Sequence, residues 1–269
     1  MNELEHIYGQ VFFDDVEKTG RSASGVIVKL LVELIDPRSV LDLGCGTGYW
    51  LSQFKQYGVS SVRGIDGLHV TRSNLRIAPD EFVVCDLSQT MPPPQGKFDL
   101  AICLEVAEHL PECKALELVK FLSETADIVL FSAAIPYQGG TSHLNEQWPT
   151  FWHDLFRSVD FVPRDIIRPA IWNNADVAFW YRQNTYLYTS KNTQLDRIAT
   201  MEKLYCGLPA NTIAVHPAQL EKNAREESQV REELKRLSLE NISLKRTLKR
   251  LPGMILVSLK QRLPLGKSG

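Results

Sequence analysis

The sequence has few cysteines and no long apolar run. Its five cysteines are an odd number and none are paired at metal-binding spacing, so neither a disulfide framework nor a cysteine metal site is expected. No stretch approaches the ~20 apolar residues that a membrane-spanning helix needs. The polar first residues lack the apolar core of a signal peptide. These absences predict a cytoplasmic chain.

The chain also lacks a strong net charge. The formal net charge is −2 over 269 residues, which disfavours nucleic acid as a partner of the whole chain. The average hides an asymmetry. Residues 221–269 hold 12 Lys/Arg and 6 Asp/Glu, a net of +6, so the remainder carries −8. The composition therefore predicts an acidic body and a basic tail.

Strand and helix signals alternate along most of the body. Short apolar runs predict five strands, at 39–43, 61–65, 81–85, 98–103 and 128–133. Helical spacing predicts helices over 49–57, 111–124 and 149–158, after a first helix that begins at a Ser22 cap and ends before Pro37. Two further strands, at 162–167 and 182–189, would close the sheet as a hairpin-like edge. The alternation predicts an α/β fold with a parallel, doubly wound sheet.

The strongest local signal is the segment Val40-Leu41-Asp42-Leu43-Gly44-Cys45-Gly46-Thr47-Gly48. A buried strand here delivers three closely spaced glycines to the start of a helix. Glycine lets the backbone turn sharply and lets a ligand approach, and ligands of such sheets bind beyond the carboxyl ends of the strands. Asp42 is costly to bury without a partner. It can orient the glycine turn or meet the ammonium group of a ligand.

Two acids end the next two predicted strands. Asp66 stands in Gly64-Ile65-Asp66-Gly67, about 20 residues past the glycines, where a carboxylate can accept both hydroxyls of a ribose. Asp86 stands in Val84-Cys85-Asp86-Leu87, where an adenine amino group needs an acceptor. These acids and the glycines predict a nucleoside pocket. A dehydrogenase is disfavoured because no Tyr-x-x-x-Lys pair is present to move a proton beside a hydride.

These motifs resemble the class I methyltransferase superfamily over roughly Ser22 to Ser190. The resemblance also rests on the segment Phe98-Asp99-Leu100-Ala101-Ile102-Cys103. It implies S-adenosylmethionine as the cofactor and a seven-stranded sheet with one antiparallel strand. It further implies which residues bind each part of the cofactor: Gly44, Gly46 and Gly48 the methionine moiety, Asp66 and the adjoining Gly67 the ribose, and Asp86 with Leu87 the adenine.

A longer stretch, from Phe12-Phe13 through Arg182-Gln183-Asn184, resembles a bacterial subfamily whose genes often lie near polysaccharide genes. Its hallmarks here are Leu104-Glu105-Val106-Ala107-Glu108-His109-Leu110, Phe131-Ser132-Ala133-Ala134-Ile135-Pro136 and His143-Leu144-Asn145-Glu146-Gln147-Trp148-Pro149. The resemblance links the chain to polysaccharide biosynthesis by association.

Four residues of these segments are candidates for the acceptor side of the site. Helical spacing would place Glu105, Glu108 and His109 on one face after the fourth strand, and His143 follows the neighbouring fifth strand. Two carboxylates and two imidazoles suit a divalent cation, and the pattern resembles O-methyltransferases that depend on Mg²⁺ or Mn²⁺. The alternative is a site without metal, in which Glu105 touches the cofactor and His143, oriented by Glu146, is the general base.

A heptad pattern begins near Leu220. Its two core positions hold Leu220, Leu234 and Leu248, and Val230, Leu237, Leu244 and Leu251. We expect a coiled coil that joins two copies into a homodimer; the alternative is one amphipathic helix folded back on the body. Met254 to Leu259 is apolar with flanking Lys and Arg, a pattern that suits contact with a membrane surface or a partner.

The sequence thus predicts four segments: a methyltransferase domain at 1–195, a linker at 196–219, a coiled-coil helix at 220–251 and a basic, apolar tail at 252–269. The predicted reaction is O-methylation of a small-molecule or glycan hydroxyl by S-adenosylmethionine. One alternative is a nucleic-acid 2′-O-methyltransferase, which is disfavoured because the body lacks a basic track. The other is a scaffold that binds the cofactor without catalysis.

Overall fold

The computed structural model describes residues 10–93, 95–193, 196–204 and 214–250. The chain divides into two structural units, one that ends at Gln219 and one that begins at Leu220. The heptad core residues would form the seam between two paired helices. The last of them, Leu251, and the predicted tail at 252–269 lie outside the described residues.

A seven-stranded sheet forms the centre of the first unit. Its strands are β1 (Ser39–Leu43), β2 (Ser61–Asp66), β3 (Phe82–Val84), β4 (Leu100–Leu104), β5 (Ile128–Ser132), β6 (Phe161–Arg164) and β7 (Tyr186–Ser190). Their order is β3-β2-β1-β4-β5-β7-β6. Strand β7 runs antiparallel to both β5 and β6, and the other paired strands run parallel. The predicted doubly wound, mostly parallel sheet is confirmed.

Helices cover both faces of this sheet. They are α1 (Gln10–Ile35), α2 (Tyr49–Gln56), α3 (Ala115–Thr125), α4 (Pro149–Ser158), α5 (Ile167–Ile171), α6 (Phe179–Asn184) and α7 (Asp196–Leu204). Successive strand residues point to opposite faces. Val40 accordingly packs in one apolar cluster with α1 and α2, whereas Leu41 packs in a second cluster with α3 and α4. Burial on both faces explains why the strands are almost continuously apolar.

Some predicted boundaries are wrong. Ser22 does not cap the first helix, because α1 already begins at Gln10 among the described residues and continues through Gly20. The predicted strand at 182–189 is helical in its first part, where Arg182 N donates to Ala178 O and Thr185 N to Tyr181 O. The last two strands do close the sheet as an antiparallel pair, with β6 at the edge, but α5 and α6 lie between them in the chain where a hairpin would have a short turn.

Part of the predicted linker is a helix that contacts the body. Within α7, Arg197 Nη1 donates to Glu33 O at 2.8 Å, and Glu202 accepts a hydrogen bond from Arg164 Nη1 at 2.7 Å. Residues 205–213 lie outside the described residues.

The last described helix, α8, runs over Pro217–Arg250, and most of it forms the second unit. Its predicted seam side chains are largely exposed to solvent in the single chain: Leu220, Val230, Leu234 and Leu237 are 48–63% exposed. Neighbouring turns are joined by ion pairs such as Arg231–Glu227. In the stretches that the structure describes, no helix is both long and apolar enough to span a bilayer.

Candidate functional site

A tight glycine turn follows β1 and leads into α2. The φ angles of Gly44, Gly46 and Gly48 are 80°, 53° and 80°, a left-handed region that glycine occupies without strain. The amides of Gly44 and Cys45 donate to Ile65 O and tie the turn to β2. A Cβ at Gly44 would lie 2.3 Å from Cγ2 of Val106. The turn therefore requires glycine at position 44 for two reasons, its backbone angle and its contact with the segment after β4.

Asp66 joins the end of β2 to this turn. Its Oδ2 accepts the amide of Gly46 at 2.6 Å, and its Oδ1 accepts the amide of Gly67, also at 2.6 Å. His69 Nε2 lies 3.2 Å from the same Oδ1. The carboxylate thus faces the glycine turn, as a nucleoside pocket requires.

Asp42 lies inside β1, just before the turn, and is 3% exposed. Burial, and then the charge of Asp66, raises the pKa of the Asp42 carboxyl well above its ordinary value. The ionised form is therefore disfavoured in the described state, and a cationic ligand group would favour it.

Asp86 follows β3 at the edge next to Asp66. The amide of the preceding Cys85 donates to Asp66 O at 2.8 Å, so the ends of β2 and β3 are adjacent. Asp86 Oδ1 accepts the amide of Ser88 at 3.0 Å and its hydroxyl at 2.6 Å. The side chain of Leu87 is buried. The two predicted acids therefore occupy adjacent strand ends, and Asp66 is the one that contacts the glycine turn.

Glu105 is the first residue after β4, and its φ of 54° is left-handed. Its amide donates to Ser132 O and Oγ at the end of β5. Its carboxylate accepts hydrogen bonds from Gln138 Nε2 at 3.0 Å and from Asn184 Nδ2 at 3.1 Å. Burial raises the pKa of the Glu105 carboxyl, and these hydrogen bonds oppose that rise.

A second acidic residue, Glu108, lies in the 3₁₀ turn Ala107–His109. Its side chain is completely buried, and neither carboxylate oxygen has a hydrogen-bond partner among the described residues. Burial, and then the charge of Glu105, raises the pKa of this carboxyl well above its ordinary value. The backbone amides of Glu108 and Ala134 oppose this rise only in part. A buried carboxylate without well-formed hydrogen bonds is costly and is the kind of group that a cation stabilises.

Two histidines approach this carboxylate. One ligand atom each from Glu108, His109 and His143 lie within 4.8 Å of one another, and the two imidazole rings are 5.0 Å apart. Burial, and then the charge of His143, lowers the pKa of His109 to about 4, although a hydrogen bond to the Ser142 backbone opposes this. At neutral pH His109 is therefore uncharged, the form that binds a metal ion.

The loop after β5 fixes His143. Its Nδ1 lies 2.9 Å from Glu146 Oε1, and the same carboxylate accepts the amides of Tyr137 and Gly139, each at 2.9 Å. Tyr137 and Ser142 have positive φ angles of 70° and 57°, which are uncommon outside glycine. Such local strain is typical of functional loops.

A family model described as a methyltransferase domain matches residues 17–164, more than half of the chain. The chain belongs to the class I methyltransferase family. Enzymes of this class use S-adenosylmethionine. The matched residues include the glycine turn, both predicted acids and the cluster of Glu108, His109 and His143.

Curated relatives of this methyltransferase domain match over shorter stretches. A ubiquinone biosynthesis O-methyltransferase of Pseudomonas aeruginosa is 34% identical over 98 residues, which is 31% of this chain and 40% of the relative. The enzyme of the same description from Paraburkholderia phymatum is 31% identical over 105 residues, 35% of this chain and 44% of the relative. The chain thus matches less than half the length of either relative.

Among solved structures, the fold is similar to that of a Nostoc punctiforme protein assigned as an O-methyltransferase. The TM-score is 0.50 at 12% sequence identity, and the match covers 66% of this chain and 59% of that protein. At this identity the likeness concerns the fold alone.

The structure groups the candidate residues differently from the sequence. In this methyltransferase domain Glu108, His109 and His143 converge. Glu105 lies beside Glu108, whose pKa its charge raises, but it is not one of these three converging residues. Glu105, Glu108 and His109 do not share one face of an α-helix, because a left-handed residue and a 3₁₀ turn replace the expected helix.

Sequence reasoning missed three residues that contact the site. His69 lies three residues after Asp66, a spacing that offered a signal. Gln138 and Asn184 reach Glu105 from 33 and 79 residues away in the chain, and no sequence spacing indicates such contacts.

Proposed function

We propose that this chain is an S-adenosylmethionine-dependent O-methyltransferase that acts on a hydroxyl of a small molecule or glycan. The observation that carries the proposal is the cluster of buried Glu108 with half-buried His109 and His143, whose ligand atoms lie within 4.8 Å of one another. Glu108 and His109 follow β4, and the segment between them and β4 contacts the glycine turn through Val106 and Gly44. A cofactor in that turn and an acceptor at the cluster would be neighbours, which methyl transfer requires.

The cofactor site that we propose uses the glycine turn and the adjacent strand ends. The methionine moiety would lie against Gly44, Gly46 and Gly48, and its ammonium group would pair with the carboxylate of Asp42. Asp66 and Gly67 would bind the ribose, and Asp86 with Leu87 the adenine. The fit is supported by the turn itself, which has no side chains at its three glycines, and by the carboxylate of Asp66 that faces it.

We also propose a divalent cation, Mg²⁺ or Mn²⁺, at Glu108, His109 and His143. Two imidazoles and one carboxylate suit a transition ion such as Mn²⁺ better than Mg²⁺, which prefers oxygen ligands, and the buried oxygens of Glu108 support a cation there. A bound cation would lower the pKa of an acceptor hydroxyl. We assign Glu105 to the cofactor side, because it directly precedes Val106, which contacts Gly44 of the glycine turn.

His143 has a second role in this proposal. Because Glu146 lies against Nδ1 of His143, Nε2, which packs against Gly140, is the ring nitrogen that would serve the acceptor. In a site without metal, Nε2 would take the proton that the acceptor hydroxyl loses. Either arrangement uses the same fixed imidazole, so the metal dependence of the reaction distinguishes them.

Two observations support the acceptor class. Both curated relatives are named as O-methyltransferases of ubiquinone biosynthesis, which favours oxygen of a small molecule as the methylated atom. The bacterial subfamily that the sequence resembles favours a glycan, and a polysaccharide precursor is the second acceptor to test. The acidic balance of the body disfavours nucleic acid.

We further propose that α8 joins two copies of the chain in a coiled coil. The support is the row of exposed seam residues, Leu220, Val230, Leu234 and Leu237, which pairing of two helices would bury. Sedimentation equilibrium tests this. We expect a dimer that Leu234→Lys dissociates, whereas Gln229→Lys, which adds the same charge off the seam, leaves it intact. A monomeric unsubstituted chain contradicts the proposal.

A methyl-donor assay tests the proposed reaction. The full chain is incubated with labelled S-adenosylmethionine and with nucleotide sugars, oligosaccharides, catechols or RNA, in Mg²⁺, in Mn²⁺ or in EDTA. We expect label on a hydroxyl compound, with transfer that the cation stimulates. Glu108→Gln should abolish that stimulation, and Glu124→Gln, a matched change at an exposed position, should not.

Two outcomes would overturn these assignments. Transfer to RNA but to no small molecule or glycan would overturn the acceptor class. Full activity in EDTA, together with full activity of Glu108→Gln, would overturn the cation site and leave His143 as the base.

A further inference from the structure

A network of buried polar side chains surrounds Glu105. Gln138 Nε2 and Asn184 Nδ2 donate to its carboxylate at 3.0 and 3.1 Å. Asn184 Nδ2 also donates to Gln138 Oε1 at 2.8 Å, so the two amides hold each other as well as the acid. Gln183 Nε2 donates to Asn184 Oδ1 at 3.2 Å. Gln138, Gln183 and Asn184 are at most 5% exposed.

The network continues to the start of α8. Gln219 Nε2 donates to the backbone carbonyls of Tyr137 and Gln138, at 3.1 and 3.3 Å. The amide of His216 donates to Gln183 Oε1 at 2.8 Å. Gln219 is 2% exposed and His216 is 8% exposed. His216 and Gln219 thus contact Gln183 and the backbone of Gln138, which are respectively a partner of Asn184 and a partner of Glu105.

Buried amides at this density are a costly way to attach a helix. An apolar side chain would anchor the first turn of α8 without any polar group to satisfy. A buried network instead fixes the orientation of each member, because each donor left unpaired destabilises the whole. The network leads to Glu105. This acid lies between β4 and Val106, and Val106 contacts Gly44 of the glycine turn.

We propose that Gln219, in the first turn of α8, is a positioning residue of the cofactor site. Gln219 holds the backbone of Gln138. Gln138 and Asn184 in turn hold the carboxylate of Glu105, the residue that we assign to the cofactor side. The inference rests on the proposed function, because it takes S-adenosylmethionine as the ligand beside Glu105. It extends the site beyond the residues 17–164 that match the family model.

A double-mutant cycle tests this on the full chain. The dissociation constant for S-adenosylmethionine is measured by isothermal titration calorimetry for the unsubstituted chain, Gln219→Met, Glu105→Gln and the double variant. Methionine keeps the length of glutamine but has no donor. Gln229→Met is the matched control, because Gln229 is an exposed residue of the same helix.

We expect Gln219→Met to raise the dissociation constant by about tenfold, within the range of couplings found between residues of one hydrogen-bond network. In the Glu105→Gln background the same change should have an effect of less than about twofold. Gln229→Met should bind as the unsubstituted chain does. If Gln219→Met melts below the assay temperature, Gln219→Ala removes the same donors without adding a long side chain and replaces it in the cycle.

Two results overturn the inference: an unchanged dissociation constant for a folded Gln219 variant, or an equal loss in both backgrounds, which would mean that Gln219 does not act through Glu105. Failure of the unsubstituted chain to bind S-adenosylmethionine is a different result, and it overturns the proposed function itself.

Discussion

Nδ1 of His143 lies 2.9 Å from Oε1 of Glu146, and Glu146 is held in turn by the amides of Tyr137 and Gly139. The carboxylate therefore fixes both the imidazole and the loop that carries it. Residues that orient a catalytic or metal-binding histidine in this way set its tautomer and its ring position.

Glu146→Gln should slow methyl transfer while leaving cofactor binding intact. Glutamine has one acceptor oxygen where glutamate has two, so the contacts to His143 and to the two amides cannot all persist. We expect the turnover rate to fall about 10- to 100-fold, with the dissociation constant for S-adenosylmethionine within about twofold of the original. Glu124→Gln, an exposed change of the same kind, is the control. An unchanged turnover rate in Glu146→Gln would show that His143 needs no orientation.

Gly44→Ala should disrupt the cofactor turn by more than the strain of placing alanine at a left-handed φ. Gly44 has a φ of 80° and would place a Cβ 2.3 Å from Val106, whereas Gly58 has a φ of 93° and nothing within 4 Å. Gly58→Ala should therefore cost only the strain of the left-handed region, about 1–2 kcal/mol, without affecting ligand binding.

For Gly44→Ala we expect a larger loss of stability in thermal melts and a loss of S-adenosylmethionine binding by calorimetry. Equal melting temperatures for the two variants would show that the contact between Gly44 and Val106 does not constrain the turn.

Asp42→Asn should stabilise the chain in the absence of ligand. Burial and the charge of Asp66 raise the pKa of Asp42, so its ionised form opposes folding. The protonated Asp42 makes its full contribution to the free energy of unfolding below the pKa of an unfolded aspartate, about 3.9. That contribution is lost as the pH rises through the raised pKa of Asp42 in the folded chain. At pH 7.5 we expect the melting temperature of Asp42→Asn to exceed the original by ~2–4 °C, the shift that about 1 kcal/mol produces in a chain of this size.

This advantage should shrink as the pH falls, because the original carboxyl then becomes protonated. Asp154→Asn replaces an exposed acid and should leave the melting temperature nearly unchanged at either pH. A lower melting temperature for Asp42→Asn at pH 7.5 would mean that the carboxylate makes stabilising contacts that outweigh its burial.

Much of the fold is predictable from local patterns. The strands β1, β2 and β5 are apolar runs that end in glycine, acid or loop signals, and their predicted positions agree with the structure to within a residue. Helix α4 has its predicted bounds, Pro149–Ser158, because proline suits the first turn of a helix and the apolar residues then follow helical spacing. Segment 179–184 contains residues typical of strands yet forms a helix, because its tertiary contacts outweigh local propensity.

The candidate site is predictable only where its residues are close in sequence. The glycine turn and Asp66 follow from motif and strand position, and the structure joins them through the amide of Gly46. The partners of Glu105 come from the loop after β5, from α6 and, further out, from the start of α8. Such contacts depend on how segments that are distant in sequence pack together, so the spacing of these residues along the chain does not predict them.

Asp66 and the glycine turn together form the proposed cofactor pocket. Isothermal titration calorimetry with S-adenosylmethionine, on the full chain and on its Asp66→Asn variant, tests whether they do. Asparagine has a single acceptor oxygen for the amides of Gly46 and Gly67 and carries no charge for the ribose. We predict one binding site per chain, with affinity at least about tenfold weaker in the variant. No binding by the unsubstituted chain, or equal binding by Asp66→Asn, would show that Asp66 and the glycine turn do not hold the cofactor.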